Sequence, residues 1–501
     1  MPDRRPSCLL AWPRRTPGVA VVGLLGSALL VLTAGRAVIS DQVQPATTWW
    51  GLLTPLAAGP WRGLVPLGEF AGVALLAAAW VWLLRLVREG RLGPGGVGRI
   101  AACWAVPLVA GPPLLSLDAY SYLAQGHLQH IGLNPYLVGP QASGPGPFLD
   151  AVDPRWRLTS SPYGPLAMIA ARLCAALGPS AGLVALHVIA AAALTVCGVL
   201  LAALCAPGRQ AFALAMAVAN PLVLLELLGA GHWEALVAVA VLGALLLWQR
   251  GHPLMAIAVA SAGSAVKAPI IVAVVVLAGL HVAADSSVPV RLRAAGGAVV
   301  AAVLPWLLAA AVQPDALGFV AGLRSSLSGR TIYGPSTAVT ELLAGAGHVA
   351  GTDVDFARLL SAVQLAGIAA AAALALALLL TARRRPPAET IGLTLLGVAL
   401  LGPVVYPWYL TWGLFPLVAA GRAGRRLSGL SVAAIFTALP GCQQLSVFLP
   451  ARTTPSAPWV VAAAVVIVSL AVMLWARREA TAYASVVAMP RLIDKALVHV
   501  P

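Results

Sequence analysis

The chain has 501 residues, 60% of them hydrophobic and 10% charged, with a formal net charge of +15. Soluble domains carry roughly 25% charged residues, so the composition excludes a soluble globular protein and describes one polytopic membrane bundle. The basic residues stand in short clusters between apolar runs, as in the cytoplasmic loops of membrane proteins, which excludes nucleic acid as the reason for the charge.

In chain order, Arg4, Arg5, Arg14 and Arg15 precede the apolar run 19–34. This reads as an uncleaved first helix, not a signal peptide, because the chain downstream is membrane-embedded too. Further spans are expected near 64–86, 100–116, 181–205, 210–228, 233–249, 294–312, 358–381, 388–404, 408–420, 429–448 and 458–476. The run 254–283 is too long for one ordinary crossing, and Lys267-Ala268-Pro269 interrupts it. Read as a hairpin of two shorter helices, it keeps Arg291, Arg293, Arg383 to Arg385, Arg422, Arg425 and Arg426 on the same cytoplasmic side as the N-terminal arginines. The expectation is an all-α polytopic membrane protein with about 12–14 transmembrane helices and long external loops. Residues 1–476 form one transmembrane unit, with external loops at 118–180 and 314–357. Residues 477–501 form a basic tail on the cytoplasmic leaflet. The six cysteines show no paired spacing and read as small core residues.

The unusual polar residues collect on the external side of this topology. Asp118 opens "DAYSYLAQGHLQH" where an apolar run ends, and a carboxylate at a membrane boundary needs water or a partner. It is a candidate general base, with Tyr120 and Tyr122 shaping the pocket, and also a plausible helix cap. "GLNPY" is a tight turn in which Asn134 and Tyr136 supply an amide and an aromatic face, the combination that binds sugars; Tyr163 in "SPYGP" adds another ring. "GHWEAL" sets His232 near Glu234, a pair that could meet a phosphate, a hydroxyl or a metal, although no H-x-x-x-H or H-E-x-x-H partner completes a metal site. Lys267, inside an apolar hairpin, must face water, a carboxylate or a phosphate, since an unpaired ammonium there costs at least ~2.5 kcal/mol. Arg330 and Tyr333 in "SGRTIYGPST", with Arg324, could hold a phosphate at the surface, Arg suiting a forked contact. "YPWYLTW" presents Trp408 and Tyr409 as an aromatic belt or as the lining of a lipid groove. No Gly-rich phosphate loop, nucleophile elbow or kinase signature occurs, and neither a metal nor a cofactor is expected.

In this order, "DAYSY", "GLNPY", "SPYGPL", "NPLVLLELLGAGHWEAL", "KAP" and "YPWYLTWG" resemble the actinobacterial polyprenol-phosphomannose-dependent alpha-1,6-mannosyltransferases, membrane glycosyltransferases of the GT-C fold that act in lipomannan biosynthesis. The resemblance implies a hexosyltransferase in the plasma membrane. It would move mannose with inversion from polyprenyl-phosphate mannose to a mannan or lipomannan-type glycolipid, forming an alpha-1,6 linkage on the extracytoplasmic face. By this likeness Asp118 matches the acidic residue of the first external loop, the expected base. His232 matches the histidine of a Gly-His-Asn-Asp-like stretch, which reads Gly231-His232-Trp233-Glu234 here. Inverting transfer needs a base on one side of the anomeric carbon and charge stabilisation of the departing phosphate on the other. Asp118 takes the first role; Arg330, Lys267, His232 and Tyr333 take the second. Tyr122, Asn134, Tyr136, Tyr163, Glu234, Trp408 and Tyr409 are the candidates for sugar and acceptor binding. The broken helix with a central lysine also suits a secondary transporter, and the external face a lipid-linked glycan flippase, but the internal repeats usual in transporters are not visible.

Overall fold

The computed structural model describes residues 16–33, 65–284, 287–327, 331, 334–352, 354–422 and 424–438. The expected span at 458–476, part of that at 429–448 and the tail 477–501 lie outside the described residues. Within them the chain is helical and contains no strand. The helices are α1 Thr16–Thr33, α2 Val65–Arg88, α3 Pro94–Ala110, α4 Asp118–His130, α5 Pro147–Asp150, α6 Pro165–Ala175, α7 Pro179–Leu204, α8 Gln210–Met216 and α9 Glu234–Gln249. They continue with α10 Pro253–Ser264, α11 Ile271–Ala283, α12 Val288–Val312, α13 Phe319–Leu327, α14 Pro335–Val349, α15 Phe356–Leu380, α16 Pro387–Leu401, α17 Leu410–Ala419 and α18 Arg425–Ala438.

Proline sets many of the starts. α3, α6, α7, α10, α14 and α16 each begin on a proline, whose fixed φ suits the first helical turn and whose missing N–H would be unpaired there anyway. Among the described residues, four helices are long and apolar enough to cross a bilayer alone: Leu67–Arg88, Pro179–Leu204, Val288–Val312 and Phe356–Leu380. A bent pair, Val223–Gly229 with Glu234–Gln249, turned through 112°, is long and apolar enough only when taken together, as a broken span or a re-entrant loop. Several other expected spans are shorter apolar helices, among them α3, α10, α11 and α16.

The single helix expected at 210–228 is broken. α8 ends at Met216, and Pro221 removes a backbone donor, so Asn220 supplies what the ladder loses: its side chain accepts from the Leu222 amide at 3.0 Å and donates to the Met216 carbonyl at 3.0 Å and to Ser431 Oγ at 2.9 Å. The chain then winds as a π-helical turn, Val223–Gly229. The expected loops 118–180 and 314–357 are also largely folded, into α4, α5 and α6 and into α13 and α14. Buried alanines and small side chains on α4 and α6 let these short helices pack closely, which a reading tuned to 20-residue apolar runs does not register.

The hairpin expected at 254–283 is present. α10 and α12 run parallel: Leu254 lies against Gly297, Ser261 Oγ donates to the Ala302 carbonyl, and Trp306 Nε1 donates to Ser264 Oγ at 3.2 Å. α11 therefore runs back between them in sequence. Lys267 is extended (φ −148°, ψ 124°) at the elbow. The "SPYGP" segment clasps that elbow, with Gly164 N–H donating to the Val266 carbonyl and Leu166 N–H to the Ala265 carbonyl, both at 3.0 Å. A Cβ at position 164 would stand 2.1 Å from the Ala265 oxygen, so only glycine permits the approach.

Basic residues share the far end of the bundle. Arg88 lies over the Phe212 ring at 5.3 Å, the Arg209 guanidinium packs on Gly421, and Arg422 pairs with Glu389 at 3.0 Å. Two apolar clusters fill the interior, one around α1, α2, α3, α7 and α8 and the other around α4, α6, α9, α10 and α11. Trp408 belongs to the first, and Trp233 and Trp412 to the second, so the polar residues beside these rings lie along the seam.

Candidate functional site

The site is assembled from three backbone irregularities. The π-helical turn carries Glu226 inward, the 112° bend sets His232 and Glu234 at the start of α9, and the elbow between α10 and α11 presents Lys267. Gly231 makes the bend possible with φ +72°, a left-handed conformation that a side chain disfavours. Asp118 is the first residue of α4, and the Tyr406–Tyr409 segment leads into α17.

Lys267 Nζ is bonded to Glu234 Oε1. The ammonium also faces three rings, with centroids 4.7 Å away for Tyr409, 5.3 Å for Tyr163 and 5.5 Å for Trp412. Trp412 Nε1 donates to the same Glu234 oxygen at 3.4 Å and its ring stacks on Tyr409 at 4.3 Å. The lysine thus has the partner its apolar setting demands, within an aromatic box that suits a cation.

Asp118 and His232 form the other half. His232 is 1% exposed and its ring stacks on Trp408 at 4.0 Å. Its Nε2 lies 3.2 Å from Ser116 Oγ and 3.7 Å from Asp118 Oδ2; its Nδ1 lies 3.6 Å from Glu226 Oε2. Ser116 Oγ also accepts the Asp118 amide at 3.2 Å, which ties the carboxylate to the imidazole. Asp118 keeps 16% of its side chain accessible, the route by which a substrate hydroxyl could reach it. Burial pushes its carboxyl up to about 6; Lys267 and Arg155 pull it down, while Glu234 and Asp153 push it further up.

Of the expected site residues, Asp118, His232, Glu234, Lys267, Tyr122, Tyr163, Trp408 and Tyr409 come together. Tyr122 stacks on Trp233 at 5.0 Å and meets Tyr163 edge-on at 5.0 Å. Asn134 and Tyr136 serve elsewhere: Asn134 Oδ1 accepts the Tyr136 amide at 2.8 Å, an Asx turn, and the Tyr136 ring packs on Gly318. Among the described residues, neither shares a hydrogen bond or ring contact with the Asp118 group. Arg330 and Tyr333 lie outside the described residues. No three of His, Cys, Asp and Glu among the described residues stand close enough to hold one metal ion.

Several participants escape a reading of the sequence. Glu226 is 1% exposed inside an apolar run, where an ionisable residue is itself the signal. Tyr406 stacks on Trp408 at 4.4 Å and Trp412 lies against Lys267, both from the "YPWYLTW" stretch. Arg155 donates from Nε and Nη2 to the buried Asp153 carboxylate at 3.0 and 2.8 Å. That fork holds its guanidinium, 43% accessible, where its charge acts on Asp118 and Tyr406. Nothing in the spacing of residues 118 and 155 foretells this.

Known proteins resemble the chain along most of its length. The family described as "Alpha-(1->6)-mannopyranosyltransferase, N-terminal domain" matches residues 20–284, and the "MptB C-terminal domain" matches residues 336–478. Alpha-(1->6)-mannopyranosyltransferase A of Mycobacterium tuberculosis is 31% identical over 391 residues, 72% of this chain and 73% of the relative. Alpha-(1->6)-mannopyranosyltransferase B of Corynebacterium glutamicum is 28% identical over 406 residues, 73% of this chain and 67% of the relative. A probable alpha-(1->6)-mannopyranosyltransferase of Mycolicibacterium smegmatis is 28% identical over 422 residues, 73% and 72% of the two chains. No solved structure matches the chain.

Proposed function

Because the chain belongs to the alpha-(1->6)-mannopyranosyltransferase family, we propose that it is a membrane mannosyltransferase drawing on polyprenyl-phosphate mannose and extending a mannan or lipomannan-type glycolipid through an alpha-1,6 linkage. The observation that carries this reading is the pairing of a partly accessible acid, Asp118, with a cation in an aromatic box, Lys267, in one seam of a membrane bundle.

Asp118 takes the proton of the acceptor's 6-hydroxyl as that oxygen attacks the anomeric carbon. The bond from the anomeric carbon to the phosphate oxygen breaks on the opposite face, and polyprenyl phosphate leaves with the bonding pair, so the anomeric configuration inverts. Lys267, Arg155 and Arg330, with Tyr333, meet the charge that develops on the phosphate. Tyr122, Tyr163, Glu234, Trp408 and Tyr409 line the space for the two sugars. The basic residues gathered at the other end of the bundle support an extracytoplasmic site in the plasma membrane.

The test is transfer of mannose from a polyprenyl-phosphate donor in membranes holding the natural chain or Asp118→Asn. Loss of 10²–10⁴-fold in kcat with donor binding retained is expected for removal of a general base. Unimpaired transfer by the variant removes Asp118 from the role, and no transfer by either chain removes the donor assignment.

A further inference from the structure

Glu226 is the one carboxyl of the site to which the reaction above gives no task. Its side chain is 2% accessible, and among the described residues no hydrogen-bond donor reaches either of its oxygens. The site around it is acidic: the His232 imidazole bridges it to Asp118, and the Lys267 ammonium is engaged by Glu234. His232 Nδ1 lies 3.6 Å from its Oε2, and the same imidazole turns Nε2 toward Ser116 Oγ and Asp118 Oδ2.

Hydrogen-bonding arithmetic then fixes the protons. A carboxylate enclosed without a donor and beside two other acids is far costlier as an anion than as a neutral acid. Asp118 retains water access and Glu234 has its lysine, so Glu226 is the member that keeps a hydrogen. The ring nitrogen facing that hydrogen is Nδ1 of His232, 3.6 Å from Oε2, and an imidazole that accepts at Nδ1 carries its own hydrogen on Nε2. The Nε2–H then points at Ser116 Oγ and the Asp118 carboxylate, and the π-helical turn is what rotates Glu226 into line; such turns recur at functional sites.

We propose that Glu226 is a buried neutral acid that sets the tautomer of His232, so that Nε2–H holds one oxygen of Asp118 and leaves the other to the acceptor hydroxyl. Glu226 is a positioning residue: it touches no substrate and transfers no proton in the reaction. The inference rests on the assignment of Asp118 as base for its kinetic consequence, but the protonation of Glu226 stands apart from it. The proposal requires the 3.6 and 3.7 Å separations to shorten to hydrogen bonds with substrate bound.

Two variants and one spectrum test it. Glu226→Met removes the donor to Nδ1: kcat is expected to fall ten- to a hundredfold with the donor KM unchanged, and the acid limb of the pH profile to move upward, because Asp118 loses a bond to its ionised form. Glu226→Gln offers an amide N–H where the acid offered O–H, and is expected to recover all but about threefold of that loss. In the infrared spectrum of the full chain in lipid at neutral pH, the carbonyl band of a protonated carboxylic acid is expected, and it disappears in Glu226→Gln. Absence of that band from the natural chain overturns the proposal whatever the activity. So does a Gln variant as impaired as the Met variant, which would require an anion, or a Met variant with natural kcat and pH profile, which would make Glu226 mere packing. Should Glu226→Met fail to accumulate in the membrane, the band and the Gln variant still decide.

Discussion

Replacing Lys267 by Met tests the elbow most directly. Lys267 is 8% exposed and Glu234 is 1% exposed. Without the lysine, the Glu234 carboxylate keeps only the Trp412 indole, at 3.4 Å to one oxygen, while the other oxygen has no partner among the described residues. Breaking a buried pair from one side costs about 3–5 kcal/mol, because the remaining charge is stranded. Lys267→Met/Glu234→Gln strands no charge but leaves a buried amide short of a partner, at about 1–2 kcal/mol, and it shares with Lys267→Met the lost ring contacts and the methionine packing on the same rings. The double variant is therefore expected to be more stable than Lys267→Met by about 2–3 kcal/mol, although both have lost the cation and transfer poorly. Denaturant titration in mixed micelles, followed by tryptophan fluorescence, measures the difference. If single and double variants unfold together, within about 0.5 kcal/mol, the pair does not hold the elbow and the reasoning fails.

With Asp118 held up to about 6, the base form fills as pH rises, so kcat/KM is expected to climb about tenfold per unit below that value and level off above it. Arg155→Met removes a charge that favours the ionised acid, so the limb should move to higher pH; a shift downward would contradict the placement of Arg155. Gly164→Ala drives a methyl toward the Ala265 carbonyl, 2.1 Å from the Cβ position. A cost of about 1–3 kcal/mol and a parallel fall in transfer are expected as the "SPYGP" clasp lifts off the elbow. Gly95→Ala, with nothing within 4 Å of the added carbon, should be near neutral in the same unfolding measurement.

Composition alone discloses the membrane bundle, and single residues disclose its breaks: Lys267-Ala268-Pro269 marks the hairpin because a charge and a proline interrupt an apolar run too long for one helix. Asn220-Pro221 carries the same kind of signal, yet a hydropathy window averages over it and joins 210–228 into one span. The site residues that could be named were those whose cost in hydrocarbon is evident from their own neighbours, such as Asp118, His232 and Lys267. Asn134 and Tyr136 looked equally suited to sugar and instead build a turn and a packing contact, since local chemistry cannot tell a wall from a binding surface. Arg155 and Glu226 escaped for a different reason. The first is brought in by a folded loop, and the second reaches His232 through a π-helical register that no periodicity of 3.6 would assign.

The hairpin arms α10 and α11 have 12 and 13 residues, which at 1.5 Å per residue is about 18 and 20 Å. Hydrocarbon is about 30 Å thick, so in the proposed topology, with the hairpin entering from the cytoplasmic face, the turn would stop short of the outer surface and the bilayer beside it would thin or admit water from that side. For the polyprenyl-phosphate donor proposed above, the phosphate would descend below the plane of the neighbouring headgroups before it meets the ammonium. Membrane thickness then becomes a variable of the reaction: in reconstituted vesicles of increasing acyl length, donor capture should weaken before the fold does.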